Sequence, residues 1–338
     1  MSGRQRLIAA AGIGISAVFL LLAVRGLNLQ EVWQHIQQAN PLPILLGCVW
    51  YFAAVFVISL RWQALLRSIK QVPIGELFQL VCITYMGNNV YPMRAGEALR
   101  VALLSRSRNI PIARNAMIVL LERLFDGIVM VTFVVVALLF VPVSNETVKT
   151  AAQVLAPVFF AMLAVFFLVA LRPELLRAIV KVVTRILPGR LGALVDHLGE
   201  EIIAALGCLR TPADLFRGVI FSYISWMLEA STYWIVSTAF NLNIDYPTVL
   251  LMLGVVNLAS IMPASPGQFG VFESFAILVL TAVGVAQAPA TAFAFTIHMV
   301  IWLPVTVVGF ILLARRGLGW GAITKAGELN NRAEAATS

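Results

Sequence analysis

The sequence predicts an all-α polytopic membrane protein. Hydrophobic residues make up 60% of the chain and charged residues only 12%, against roughly 25% charged residues in an ordinary globular domain. The mean hydropathy is +0.92. Several stretches approach the ~20 apolar residues that cross a bilayer as a helix, and the basic residues lie in blocks between them. A water-soluble fold cannot hide this much apolar surface, so we expect a chain that crosses the membrane repeatedly.

About six full transmembrane helices are expected from the lengths of the charge-poor stretches. These predicted spans are 7–24, 42–60, 115–141, 151–171, 218–240 and 288–313. The first span follows Arg4 and Arg6 as a signal peptide would, but Arg25 stands where a small-residue cleavage site is expected. We therefore expect this first span to be retained.

The basic residues predict the orientation of the chain. Blocks of Lys and Arg follow every second span, and positive residues favour the cytoplasmic side. The formal net charge of +8 is therefore assigned to membrane orientation, and no nucleic-acid partner is expected. Both termini are predicted to be cytoplasmic, in a multi-pass protein of the cell's inner (cytoplasmic) membrane. On this interpretation Arg61, Arg67 and Lys70 belong to a cytoplasmic loop.

Two further apolar segments are broken near their centres by Pro, Gly and charged residues. Residues 77–91 and 98–104 are separated by the stretch 92–97, and residues 247–286 are interrupted at 263–269. The halves of each segment are too short to cross separately, which predicts two re-entrant helical hairpins entering from opposite sides. The alternative, kinked helices that span the membrane, stays open because Pro and Gly are tolerated there.

Opposed hairpins in the two halves of the chain predict an inverted repeat. The first repeat covers about 1–141 and the second about 151–316, which gives one transmembrane domain over 1–316 and a polar cytoplasmic tail over 317–338. The cytoplasmic segment 172–212 has apolar residues at helical spacing and a basic row, so its helix at 172–190 is expected to lie on an anionic lipid surface. Paired broken segments indicate a transport site near the bilayer midplane.

Ionisable residues inside apolar segments are the candidate site. Each costs at least ~2.5 kcal/mol in the bilayer unless it is paired or hydrated, so such residues usually mark a pathway. They are Arg94, Glu97, Arg100, Glu122, Arg123, Asp126, Glu229, Glu273 and His298. Arginines suit a phosphate-bearing ligand, because guanidinium stays charged and binds phosphate oxygens as a fork. The alternative is that Arg94 with Glu97 and Arg123 with Asp126 are only internal pairs, and His298 is expected to be a packing residue.

Three motifs occur in order along the chain: "NNVYPMRAGEALR" from Asn88 to Arg100, "ERLFD" from Glu122 to Asp126, and "PASPGQFGVFE" from Pro263 to Glu273. Together they resemble the lysylphosphatidylglycerol synthase transmembrane-region family over essentially the whole chain. The resemblance implies a flippase-like membrane module. Because only about 25 residues follow the last predicted span, we expect a stand-alone member without the aminoacyl-transferase domain, and no synthesis of an aminoacylated lipid.

The resemblance also implies which residues form the substrate site. The motif positions that it assigns to substrate binding are Arg94, Glu97, Arg100, Glu122, Arg123, Asp126, Gly267, Gly270 and Glu273. Asn89, beside the first interruption, is also expected to bind substrate. One position departs from the pattern: the family often has a second Gly where this chain has Gln268. Arg94 and Arg100 are expected to bind phosphate, while the carboxylates orient them or bind a cationic group.

The predicted function is a lipid flippase or transporter for a membrane phospholipid or a polyprenyl-phosphate lipid. No catalytic residue, metal or cofactor is expected, and a homo-oligomer remains open. The alternative is a membrane-embedded enzyme or an accessory subunit of glycosyl transfer to a polyprenyl-phosphate carrier. Against it stand the lack of an Asp-x-Asp pair, of a nucleotide-binding Gly-rich loop and of a Ser/His/Asp arrangement.

Overall fold

The structure, a computed structural model, describes most of the chain between residues 14 and 316. The described residues are 14–19, 21, 29–67, 69–91, 95–141, 156–157, 160–161, 173–186, 189, 191–192, 195–196, 199, 212–260 and 265–316. The predicted spans at 7–24 and 151–171, the loop residue Arg94 and the tail 317–338 lie wholly or mostly outside them, as does much of 172–212.

Every regular element in the described part of the chain is helical, which confirms the predicted all-α class. The α-helices are α1 (Leu29–Gln38), α2 (Pro41–Leu66), α3 (Ile74–Val90), α4 (Ala95–Arg108), α5 (Ile112–Phe140), α6 (Pro173–Ile186), α7 (Pro212–Thr238), α8 (Tyr246–Ala259), α9 (Val271–Ala282) and α10 (Gln287–Arg315), with a 3₁₀ turn at Pro266–Gln268 between α8 and α9.

Three of these helices are long and apolar enough to cross a membrane: α2, α5 and α10, with 26, 29 and 29 residues and mean hydropathies of 2.2, 2.2 and 2.3 over their most apolar stretch. They coincide with the predicted spans at 42–60, 115–141 and 288–313. A row of large apolar side chains on the outer face of α2 is exposed, namely Leu42, Leu45, Leu46, Val49, Trp50 and Phe56. Such a surface is stable against lipid and unstable in water.

Helix α7 lies at the predicted span 218–240 and has 27 residues. Its polarity is reversed relative to a soluble amphipathic helix. One face exposes Phe216, Ile220, Ile224, Met227 and Trp234, whereas the opposite face buries Ser222, Ser225, Glu229 and Thr232. The polar face is directed at the protein interior, so α7 brings hydrogen-bonding groups into an otherwise apolar core.

Helices α2 and α7 pack closely along their length, and this contact joins the first half of the chain to the second. A Cβ atom placed on Gly47 would lie 2.5 Å from Val236 Cγ2, and one on Gly218 would lie 3.0 Å from Leu65 Cδ2. Both glycines therefore permit an approach that no larger residue allows. The main core clusters lie on either side of this contact.

Both predicted breaks occur as interruptions between paired helices. The first separates α3 from α4, which pack against each other, and the second separates α8 from α9. At the far end of the first pair, Arg108 Nε donates to Glu76 Oε2 at 2.8 Å. At the near end, a Cβ atom on Gly87 would lie 2.6 Å from Gly96 Cα, so α3 and α4 touch backbone to backbone beside the break.

Candidate functional site

A buried network of arginines and carboxylates lies beside the first break, where α2, α4, α5 and α7 meet. Glu122 and Asp126 project from the same face of α5, as their i,i+4 spacing predicts. Glu122 is completely buried and Asp126 is 7% exposed. Both carboxylates have arginine partners from other helices, which is the condition under which ionised groups are stable in an apolar interior.

Arg61 of α2 is the centre of this network. Its Nε donates to Glu122 Oε1 at 3.2 Å, and its Nη1 donates both to Asp126 Oδ1 at 2.5 Å and to Ser222 Oγ of α7 at 2.9 Å. The side chain is 1% exposed. Arg61 therefore fixes both carboxylates and connects α2 with α5 and α7.

The placement of Arg61 in a cytoplasmic loop was wrong. Helix α2 continues to Leu66, past the predicted end of the span at residue 60, and Arg61 lies inside it. The physical reason is that two carboxylates of α5 compensate its charge, so the helix has no need to end where the charge begins. The sequence held a signal for this: the residues after Arg61, "WQALL", return to apolar character before Arg67.

Arg100 of α4 is the second buried arginine. Its Nη2 donates to Glu122 Oε2, and its guanidinium carbon lies 4.7 Å from the ring centroid of Trp62, a cation–π contact. The Nε of Arg100 is buried and has no hydrogen-bond partner within the described ranges. Arg100 thus meets Glu122 as the sequence suggested, and retains an unused donor.

Arg123 is the open member of the network. Its Nη1 lies 3.4 Å from Glu97 Oε1 and its Nη2 lies 3.0 Å from Asp126 Oδ2. The side chain is 40% exposed, unlike those of Arg61 and Arg100. Arg123 therefore pairs Glu97 of α4 with α5 while presenting part of its guanidinium to the outside of the network.

Trp226 of α7 completes the surroundings of Asp126, because its Nε1 donates to Asp126 Oδ1 at 2.7 Å. In the described part of the chain the network contains three guanidinium groups and three carboxylates, so its charges balance. The carboxylates act as a frame for the arginines. Two donor positions are unused, the buried Arg100 Nε and the exposed side of Arg123, and they suit an anion; Asp126 Oδ2 is ion-paired to Arg123 but accepts no hydrogen bond within the described ranges.

The second break is organised around Glu273 of α9. Its Oε2 accepts from the backbone N–H of Gly270 at 2.6 Å, and its Oε1 lies 2.6 Å from His298 Nδ1 of α10. The His298 ring lies between Phe269 and Phe272, with centroid distances of 4.7 and 4.3 Å. Glu273 therefore caps the start of its own helix and positions a buried histidine.

Left-handed backbone at the second break accounts for its glycines. Gly267 has φ = 72° and Gly270 has φ = 90°, a region that favours glycine. Gln268 between them also has φ = 60°. This is the position at which the family pattern often has Gly, so the chain places a longer side chain in the conformation that suits glycine.

The tips of the two breaks meet at α10. Asn89 Nδ2 donates to Thr306 Oγ1 at 2.8 Å, and a Cβ atom on Gly267 would lie 3.1 Å from the backbone oxygen of Asn89 and 2.6 Å from Trp302 Nε1. Asn89 and Gly267, both predicted site residues, are thus in one place. The arginine network and the Glu273–His298 pair form two separate groups, and Arg94 lies outside the described residues.

Comparison with known proteins identifies similar chains. A family model described as "Lysylphosphatidylglycerol synthase TM region" matches residues 9–309. The Haloferax volcanii protein named "Glycosyltransferase AglD" is 27% identical over 90% of this chain and 54% of its own length, so this chain spans about half of that relative. Two relatives named "UPF0104 membrane protein" are each 22% identical to this chain. The match to the Pyrococcus horikoshii protein covers 90% of this chain and 96% of that relative, and the match to a Methanothermobacter thermautotrophicus protein covers 88% of this chain and 90% of that relative.

Proposed function

The chain belongs to the lysylphosphatidylglycerol synthase TM-region family, and from this premise we propose that it moves a phosphate-bearing lipid between the leaflets of the cytoplasmic membrane. The route that we propose lies between two opposed re-entrant hairpins, α3–α4 and α8–α9, in a protein of about six full spans related by an inverted repeat. The supporting observation is the arginine network beside the first hairpin.

The network suits a phosphate group because of which donors it leaves free. Both oxygens of Glu122 accept from arginines, and Asp126 Oδ1 accepts from Arg61 and Trp226, while Asp126 Oδ2 is ion-paired to Arg123, so each carboxylate already has a cationic partner. The unused donors are on arginines. A phosphate that accepts from Arg100 Nε and the exposed side of Arg123 gains charge-assisted hydrogen bonds, about twice as strong as neutral ones. Arg94, in the break itself, is proposed as a third donor.

The second break is proposed to form the opposite wall of the route. Gly267 and Gly270 keep side chains away from the tip, and Asn89 and Gly267 bring the two tips together at Trp302. The helix α6 is proposed to rest on the anionic cytoplasmic surface, since Arg177 and Lys181 are exposed on it.

A second candidate function has one observation in its favour: the Haloferax volcanii relative carries the name "Glycosyltransferase AglD". On that proposal the membrane region would bind the polyprenyl-phosphate carrier for a glycosyl transfer. The same arginines would then hold the carrier phosphate without moving it across the bilayer.

The test is leaflet exchange of dithionite-accessible fluorescent lipids in liposomes that contain the purified protein. The informative variant is Arg123→Gln, whose partly exposed side chain loses its charge. We expect exchange to fall at least about tenfold, because a hydrogen bond to a charged group contributes roughly 1.5–3 kcal/mol. The matched control is Arg114→Gln, an exposed arginine near the start of the same helix, which should exchange lipid as the native protein does.

Three outcomes separate the proposals. Loss of exchange in Arg123→Gln alone supports transport through the network. Equal exchange in both variants means that Arg123 serves only the internal pairs. If the native protein exchanges no phospholipid and no polyprenyl-phosphate lipid, transport is wrong, and transfer from a sugar-nucleotide donor to polyprenyl phosphate in detergent becomes the measurement that tests the second candidate.

A further inference from the structure

Glu229 of α7 is a buried carboxyl group that the arginine network does not neutralise. It is 6% exposed, and no hydrogen bond or ion pair joins it to any residue in the described ranges. It follows Trp226 by one helical turn, and Trp226 is bonded to Asp126. Glu229 therefore lies beside the network without taking part in it.

The surroundings of Glu229 are hydroxyl groups rather than cations. The hydroxyls of Tyr51 on α2, Tyr85 on α3 and Tyr233 on α7 lie close enough to interact electrostatically with its carboxyl group. The charged group that faces it is Asp126 of α5. The hydroxyl of Tyr233 is buried and has no hydrogen-bond partner in the described part of the chain.

Within the described ranges, neither α8 nor α10, the other two helices packed on α7, brings a charged side chain into contact with Glu229. Tyr246 of α8 donates to the backbone oxygen of Met227 and also contacts Ser231 on the other side of α7. His298 of α10 is separated from Tyr233 by the ring of Phe272, whose centroid is 6.2 Å from that of Tyr233. Asp126, and through it Arg61 and Arg123, is thus the connection between Glu229 and charged groups.

Charge balance indicates the state of Glu229 when the site is empty. The three arginines and three carboxylates of the network already compensate one another, so an ionised Glu229 adds an unpaired negative charge. Such a charge costs at least ~2.5 kcal/mol in a membrane interior, and a proton removes it. Glu97, Glu122 and Asp126 are each paired with an arginine, so among the described carboxyl groups at this place Glu229 is the one without such a partner.

We propose that Glu229 is the proton-binding site of this protein and that a proton crosses the membrane together with the anionic lipid. This inference rests on the proposed lipid transport and adds its coupling ion. One proton binds to the Glu229 carboxylate from the side on which the headgroup enters, and the same proton leaves to the other side when the headgroup leaves.

The sign of the coupling follows from Asp126. A phosphate bound to Arg123 draws that guanidinium away from Asp126, so the negative potential at Glu229 increases and proton binding is favoured. By reciprocity, a proton on Glu229 favours phosphate binding by the same factor. Anion and proton therefore bind together, which makes the exchange a symport.

The first measurement does not depend on transport. Infrared difference spectra of the purified protein at neutral pH should show that Glu229→Gln removes the carbonyl stretching band of a protonated carboxyl group. The control Glu31→Gln, an exposed carboxyl on α1, should remove no such band. Loss of the band assigns a stored proton to Glu229, and an unchanged spectrum overturns the proposal even if lipid exchange is observed.

The second measurement is the binding of a short-chain soluble phosphatidylglycerol between neutral and alkaline pH. The native protein and Glu31→Gln should bind this lipid at least about fivefold more tightly at neutral than at alkaline pH, which is within the usual range for coupled sites. In Glu229→Gln the affinity should no longer depend on pH. An equal pH dependence in Glu229→Gln overturns the proposal.

The liposome assay then separates the two proposals. A pH gradient should change the rate of leaflet exchange by the native protein, and the ratio of rates with and without the gradient should become about one in Glu229→Gln, whatever its basal rate. Native exchange with a gradient response that persists in Glu229→Gln overturns the proton site and leaves transport standing. Loss of the infrared band without any native exchange overturns transport, and the symport with it.

Discussion

The first break, between α3 and α4, is flanked by charged side chains that contact two other helices, α2 and α5, whereas the second, between α8 and α9, keeps its carboxylate at its own helix terminus. Arg100 and Glu97 of α4 have partners on α5. Glu273 instead accepts from Gly270, three residues away, and contacts one histidine. The two breaks have similar residue types but different structural roles. Charged residues at the first form an ionic site with other helices, and the carboxylate at the second stabilises the local backbone conformation.

The difference shows in how much of the fold each group supports. The ionic site joins α2, α4, α5 and α7, so its loss removes contacts between four helices. The Glu273–His298 pair joins α9 to α10 and leaves the rest of the described polar groups untouched. Substitutions at the first break are therefore expected to have larger effects on stability than those at the second.

The largest effect is expected for Arg61→Leu. This change leaves Glu122 and Asp126 with fewer partners in an apolar interior, and breaking a buried ion pair costs about 3–5 kcal/mol. Thermal unfolding in detergent should show a large loss of stability or no folded protein. Arg67→Ala, an exposed position at the end of the same helix, should unfold as the native protein does. Near-native unfolding of Arg61→Leu would mean that Arg61 does not hold the network together.

A smaller effect is expected for Gly96→Ala, which tests the backbone contact beside the first break. A Cβ atom at Gly96 would lie 2.8 Å from Asn88 N and would also meet Thr84 O. Overpacking of this kind costs about 1–3 kcal/mol, so α3 and α4 should separate and thermal stability should fall.

The matched substitution for that test is Gly127→Ala on α5, where nothing lies within 4 Å of the added atom. It should leave stability unchanged or raise it by up to about 1 kcal/mol, because Ala is the better helix former. If the two alanine variants unfold alike, the close approach of α3 and α4 does not contribute to the fold.

The smallest effect is expected for Glu273→Gln at the second break. The side chain keeps its size and an oxygen that can accept from Gly270, but it loses the charge that faces His298, and weakening one hydrogen bond of this kind costs about 0.5–1.5 kcal/mol. Differential scanning calorimetry should detect a modest loss, and His298→Gln should add little to it in the double variant because both changes remove one interaction. A loss as large as that of Arg61→Leu would remove the distinction between the two breaks.

The fold class and three spans could be predicted because apolar runs of sufficient length are a one-dimensional property of the sequence. The i,i+4 spacing of Glu122 and Asp126 likewise predicted their common face. Arg61 could not be assigned in this way, because its partners lie 61 and 65 residues further along the chain. The apolar residues that follow Arg61 indicate that the helix continues, but the partners of its charge are known only from the packing of α2 against α5 and α7.

Local signals were sufficient at the second break and insufficient at the first. The Pro- and Gly-rich stretch there predicted an interrupted segment, and the structure has an interruption between α8 and α9, with positive φ at Gly267 and Gly270. The role of Glu229 had no such signal: the sequence around Glu229 does not show its partners, and neither does the sequence around Glu122, although Glu122 has Arg123 and Asp126 beside it. What separates them is whether an arginine from a distant helix reaches the group, and that depends on tertiary packing.

The close contact between α2 and α7 would limit the motions of the transporter that we propose. Gly47 and Gly218 seat these helices against each other, and Arg61 of α2 donates across the contact to Ser222 of α7. Under the proposed transport, a sliding of α2 along α7 would have to break this contact. We therefore expect the shorter helices that end at the two breaks, rather than α2 and α7, to move.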